Sequence, residues 1–232
     1  LRDEVFLFQL RARNTAPALA LAALYAMKQW GPETGLLVLP ADHIVAPLEK
    51  FKVAVDIAQR MAAHGRIVVF GVQPTHAETA YGYIECGHAI DDTAAEVERF
   101  VEKPTLALAE KFVAAGTHLW NSGMFCFTAK TLLDNLLQHA PELHAAAGHC
   151  FAATPEREGD AVMIDAASFS ALTAISIDYA VMEKATNVAV GRAAFNWSDA
   201  GSGSAASDLT PPYAARHPTV GSRIMLSHRV YS

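Results

Sequence analysis

The chain has 232 residues, with 18 Lys and Arg against 24 Asp and Glu and a formal charge of −6. With 52% hydrophobic and 18% charged residues it holds enough apolar side chain for a core, which excludes a disordered chain. The longest apolar stretches, such as residues 16–27, fall short of the roughly 20 residues of a membrane span, and no Lys/Arg cluster marks a nucleic-acid surface.

In chain order, residues 13–32 read as a helix with Asn14 or Thr15 as N-cap, Pro17 in the first turn and Gly31-Pro32 as the stop. Residues 36–39 follow as a short apolar strand broken at Pro40. Its lack of polar alternation predicts cover on both faces, as in a parallel sheet. Residues 48–64 carry apolar side chains at helical spacing with Gly65 as the stop, and residues 66–72 are the next buried strand. This strand–helix–strand order is a βαβ unit and predicts a mostly parallel, doubly wound α/β sheet with helices on both faces. Strands at 81–86 and 97–104, a helix at 105–115, a strand at 119–127, two helical stretches, and segments at 176–185 and 188–202 continue the pattern. Gly, Ser, Ala and Pro dominate residues 201–218, which read as a linker, and a short strand-like piece closes the chain. Three cysteines (Cys86, Cys126, Cys150) suit a reducing, cytoplasmic compartment better than a disulfide framework, and residues 1–9 lack the apolar core of a signal peptide.

Four places carry chemistry. Asp42 lies just past a buried strand, where open α/β sheets place ligands; it either holds a divalent cation or caps the local turn. Glu102-Lys103-Pro104 ends a strand, and the break at Pro104 allows both side chains to turn toward one cleft. A carboxylate there accepts sugar hydroxyls and an ammonium suits phosphate; a solvated ion pair is the plainer reading. Asn121, Ser122 and Gly123 interrupt an apolar strand, which signals a bulge or a ligand. Asp199 precedes Gly201 and either forms a turn or joins Asp42 in a metal site. The ten His and three Cys show no zinc-type spacing.

Together and in this order, RNTAPA (13–18), VLPADH (38–43), YGYIE (81–85), FVEKP (100–104), LWNSGMF (119–125), SIDYAVMEK (176–184) and WSDAGS (197–202) resemble mannose-1-phosphate guanylyltransferases of the bacterial type often fused to a phosphomannose isomerase domain. The resemblance implies a Rossmann-like nucleotidyltransferase fold that makes GDP-mannose and pyrophosphate from GTP and mannose 1-phosphate, a polysaccharide precursor step. It implies Mg²⁺ on Asp42 and Asp199, sugar contacts by Gly82, Glu102 and Asn121, phosphate binding by Lys103, and Asn14 and Thr15 beside the nucleotide. Asp42, Lys103 and Asp199 would be the catalytic set, in a cytoplasmic enzyme that self-associates and meets neither membrane nor nucleic acid.

Three departures from the family pattern accompany it. No glycine-rich loop precedes RNTAPA, Gln9-Leu10 replaces a Glu-Pro pair, and Gly203 stands where the family has Trp. Residues 1–202 are therefore expected to be a catalytic domain lacking its N-terminal loop and one central strand, and residues 203–232 a divergent linker. On that view the sheet is incomplete, the strands at 4–9 and 35–40 are left with unpaired edges, and the chain alone lacks useful transferase activity. Another sugar-1-phosphate nucleotidylyltransferase and a non-catalytic sugar-nucleotide-binding fragment are the alternatives. A glycosyltransferase is disfavoured, because Asp91-Asp92 sits in a turn.

Overall fold

A computed structural model describes residues 4–8, 13–156, 161–199 and 223–227. The elements are β1 (Glu4–Phe8), α1 (Thr15–Trp30), β2 (Gly35–Val38), β3 (His43–Ala46), α2 (Leu48–Ala63), β4 (Ile67–Val72), β5 (Tyr83–Ala89), β6 (Ala94–Val101), α3 (Leu106–Ala115) and β7 (His118–Thr128). After them come α4 (Ala129–His139), α5 (Pro141–Ala153), β8 (Ala161–Met163), α6 (Ala166–Ala171), a π-helical turn at Asp178–Met182, β9 (Val188–Arg192), β10 (Asn196–Asp199) and β11 (Arg223–Ser227). No helix among the described residues is long and apolar enough to cross a membrane. The expected linker at 201–218 and the expected domain boundary between residues 202 and 203 lie outside the described residues.

The chain divides into two units, one of residues 1–34, 132–185 and 213–232, the other of residues 35–131 and 186–212. In the first, α1 is buried nearly all round, from Ala16 to Ala23 and again at Tyr25 and Ala26, and it packs on α5. A helix apolar on every side belongs in a core. Its start is tied down twice: Asn14 Oδ1 accepts from the Thr15 amide at 2.8 Å, and Thr15 Oγ1 accepts from the Ile177 amide at 2.8 Å. RNTAPA is thereby fastened to SIDYAVMEK. Strand β1 lies between β11 (antiparallel) and β8 (parallel). This corrects the expected unpaired edge at residues 4–9, because partners from two distant segments occupy both of its sides.

The second unit holds a six-stranded sheet in the order β2-β7-β4-β9-β6-β5, with β5 also meeting β7, and a two-stranded ribbon of β3 and β10. The α/β class with helices on a central sheet stands, but the expectation of mostly parallel strands is corrected. Within this sheet only β4 and β9 run parallel among the described residues; every other pair is antiparallel. The crossover from β2 through α2 to β4 does return in the same direction, since both strands oppose β7, but β7 is inserted between them. The expected cover on both faces of residues 36–39 is corrected as well: among the described residues β2 is an edge strand with only Leu36 buried, and Leu39 beyond it is 48% exposed. An apolar run carries no information on which neighbour covers its edges or faces.

Helix α2 presents Phe51, Ala58 and Ala62, one helical stripe, to Val68, Phe70, Met124, Cys126 and Phe195. The rings of Phe51 and Phe195 meet edge to face at 5.2 Å. Each such ring taken from water contributes about 2–3 kcal/mol. Helix α3 buries Ala109 and Phe112 against Val72, Tyr83 and Trp120. All six residues of β4 are buried, so Ile67 and Val69 are covered on its opposite side.

His118 begins β7, stacked on Phe112 at 3.8 Å, with Nε2 3.9 Å from Glu85 Oε2. Burial pushes its pKa below the ordinary histidine range, although the Glu85 carboxylate pulls the other way and Arg99 adds to the depression. The folded state therefore binds fewer protons than the unfolded chain below about pH 6.5. Stability conferred by the neutral ring is present above that pH and is lost as pH falls toward the depressed value. His118→Phe keeps the stack and should flatten this part of the acid limb in urea midpoints measured from about pH 8 to 5. A limb of equal slope in both proteins would contradict it.

Candidate active site

Strand β2 ends at Val38, and a turn through Pro40 and Asp42 leads into β3, which pairs antiparallel with β10. In that register Asp199 stands opposite His43, so Asp42 and Asp199 lie one residue out of step on neighbouring backbones. The Asp42 side chain is 69% exposed and its Oδ1 is 4.0 Å from His43 Nε2. Both donors are carboxylate oxygens open to water or partly so. That chemistry suits a hard cation that keeps some waters and takes further oxygens from phosphate groups.

A second group forms around the bulge of β7. The β4–β7 register slips between Val69 and Gly71, and Gly123 takes φ 67, a conformation glycine adopts without the Cβ penalty. The interruption satisfies itself: Ser122 Oγ donates to the Phe70 carbonyl at 2.6 Å, and Asn121 Oδ1 accepts from the Gly123 amide at 3.0 Å. The Asn121 amide donates to the Gly82 carbonyl at 2.8 Å. A methyl group on Gly82 would stand 2.8 Å from Glu102 Oε2 and 3.5 Å from Asn121 Cβ, so Gly82, Glu102 and Asn121 share one spot.

Lys103 follows Glu102 with φ 44, and Asn14, with φ 64, is the other non-glycine residue of positive φ among the described residues. In an unbroken strand Glu102 and Lys103 would point to opposite faces; with this kink before Pro104, Lys103 Nζ sits 3.8 Å from Glu102 Oε1. Left-handed backbone at a lysine costs about 1–3 kcal/mol, which surrounding structure must hold in place.

Aromatic side chains that the sequence reasoning did not single out join the two groups. His43 meets Trp197 edge to face at 5.2 Å, Trp197 meets Tyr81 at 5.0 Å, Tyr81 meets Trp120 at 5.4 Å, and Trp120 meets His76 at 5.0 Å. Gly123 lies against Pro40 and His43, 3.8 and 4.0 Å from where its Cβ would be. The signal was in the motifs: PADH, YGYIE, LWNSGMF and WSDAGS each carry one of these rings. Asp42, Gly82, Glu102, Lys103, Asn121 and Asp199 all belong to this unit, whereas Asn14 and Thr15 belong to the other.

Residues 3–215 match the family model described as nucleotidyl transferase. The chain belongs to the nucleotidyl transferase family. A protein of Xanthomonas campestris pv. campestris strain B100 named xanthan biosynthesis protein XanB is 41% identical over 209 residues, covering 90% of this chain and 44% of that protein. A mannose-1-phosphate guanylyltransferase of Sinorhizobium fredii strain NBRC 101917 / NGR234 is 42% identical over 190 residues, 82% of this chain and 37% of its own. Among solved structures, a mannose-6-phosphate isomerase of Helicobacter pylori superposes with TM-score 0.75 at 33% identity, covering 83% of this chain and 74% of that one. This nucleotidyl transferase chain thus spans less than half the length of the curated relatives it matches.

Proposed function

We propose that the protein containing this chain transfers a guanylyl group from GTP to mannose 1-phosphate, releasing pyrophosphate and forming GDP-mannose as a polysaccharide precursor. The observation that supports it best is the joining of Gly82, Glu102, Lys103 and Asn121, suited to a sugar phosphate, with the Asp42 and Asp199 pair through the β7 bulge and the aromatic chain. The names of two relatives point to phosphorylated mannose.

In this reading a phosphate oxygen of mannose 1-phosphate bonds to the α-phosphorus of GTP, and the bond from that phosphorus to the bridging oxygen breaks, so pyrophosphate leaves with the electron pair. The attacking oxygen is already anionic at neutral pH, so the protein supplies position and charge rather than a base. Glu102 accepts sugar hydroxyls, and Lys103 holds the phosphate. Asp42 and Asp199 hold Mg²⁺, whose chemistry there is charge neutralisation at the phosphates. Asn14 and Thr15 remain assigned to the nucleotide by resemblance alone. The same proposal includes cytoplasmic residence, self-association and an isomerase region in the longer protein, the last supported by the name of the Helicobacter pylori relative.

The full-length protein with GTP, mannose 1-phosphate and Mg²⁺ should release pyrophosphate and form GDP-mannose. Substituting UTP or glucose 1-phosphate should lower kcat/KM by at least about tenfold, the discrimination expected when a site built to hydrogen-bond one group meets another. Isomerisation of mannose 6-phosphate without any pyrophosphate release from GTP would overturn the reading. Gly82→Ala offers a finer check: its methyl group displaces only the flexible end of Glu102, so thermal stability should hold. Mannose 1-phosphate affinity by calorimetry should fall about tenfold, the worth of one charge-assisted hydrogen bond. Unchanged affinity would remove Glu102 from the sugar site.

A further inference from the structure

We propose that His43 is a positioning residue that orients the Asp42 carboxylate toward Asp199 for shared cation binding, and that Trp197 fixes the tautomer that lets it do so. The proposal rests on the metal reading above and adds a residue to it. Trp197 Nε1 lies 3.1 Å from His43 Nδ1. An indole N–H can only donate, so Nδ1 accepts and the ring proton lies on Nε2. Nε2 lies 4.0 Å from Asp42 Oδ1, beyond hydrogen-bond distance, and a rotation of the exposed carboxylate toward the ring would close that gap.

Two features hold the ring in this pose. The β3–β10 register sets His43 opposite Asp199. The edge-to-face packing on Trp197 sets its tilt. The β7 bulge passes beside the ring, where a Cβ built on Gly123 would stand 4.0 Å from His43 Cε1. His43 is only 13% exposed, while the Asp42 carboxylate beside it is 69% exposed. The half-buried ring is the better-held partner and the solvent-facing carboxylate the one that needs orienting. Groups that orient metal-binding side chains from behind typically matter 10- to 100-fold in metal affinity.

The test is Mn²⁺ titration of the full-length protein followed by electron paramagnetic resonance, with thermal unfolding alongside. His43→Asn keeps an acceptor near Nδ1 for the indole and loses the donor toward Asp42. It should weaken Mn²⁺ binding about tenfold with an unchanged unfolding midpoint. His43→Gln places a donor near the Nε2 position and should recover most of that loss. Wild-type Mn²⁺ affinity in His43→Asn overturns the proposal, and so does a loss in both variants that tracks a lowered midpoint, since packing alone would then explain it. Asp42→Asn and Asp199→Asn separate the two levels. If both lose Mn²⁺ while His43→Asn retains it, the metal reading stands and the positioning role fails; if both bind Mn²⁺ like wild type, the two fall together.

Discussion

Asp42→Asn and Asp199→Asn, each alone in the full-length protein, should lower kcat for pyrophosphate release from GTP and mannose 1-phosphate about a hundred- to a thousandfold. That is the cost of removing one group aimed at charge developing in a transition state. The two changes should not add. Residues that hold one ion act as a unit, so the double variant should be about as slow as the slower single variant. For Asp42→Asn folding should be nearly untouched, because its side chain is 69% exposed and an exposed carboxylate adds little to stability. Losses that multiply in the double variant would place the two carboxylates in separate roles. Wild-type kinetics in both single variants would remove them from the reaction altogether.

Phe70→Ala should destabilise the protein by about 3–5 kcal/mol in urea unfolding. Phe70 is 1% exposed, and its ring packs against Phe51 of α2 at 6.2 Å and Phe195 at 6.4 Å. Truncation leaves a cavity between helix and sheet that a close-packed core fills only in part. The Phe70 carbonyl also takes the Ser122 hydroxyl that steadies the β7 bulge, so a shift of β4 reaches Asn121 and Gly123. Mannose 1-phosphate affinity should therefore weaken even under conditions where the variant remains folded. Val53, 60% exposed on the same α2, is the control: Val53→Ala should change stability by less than about 0.5 kcal/mol. Equal effects at the two positions would contradict the packing described.

How much of this was legible beforehand depends on the range of the interaction that decides each feature. Helix α1 starts and stops where Asn14 and Gly31-Pro32 indicate, and α2 and β4 run to within a residue of their expected limits. Caps, stop residues and apolar periodicity act within a few residues, so the chain alone determines them. The four-residue strand β3 was not legible. Its only partner among the described residues is β10, about 150 positions away, and its segment, read as a turn that Asp42 could cap, shows no run long enough to signal a strand.

The candidate site divides in the same way. Asp42, Glu102, Lys103, Asn121 and Asp199 could be singled out as candidates from strand ends and breaks in the apolar pattern, while Gly82 and the roles of all six came from the family resemblance. Their arrangement could not be read in this way. The insertion of β7 between β2 and β4 turns an expected parallel sheet into a largely antiparallel one. The bulge in β7 brings Gly123 against His43 and Asn121 against Gly82. The ring chain from His43 to His76 draws on four separate segments: β3, β10, β7 and the loop between β4 and β5. Amino-acid order determined the local conformations and the chemistry on offer. Which groups face one another was decided by strand pairing and packing between segments far apart in sequence, where the free energy is non-local and no short window carries it.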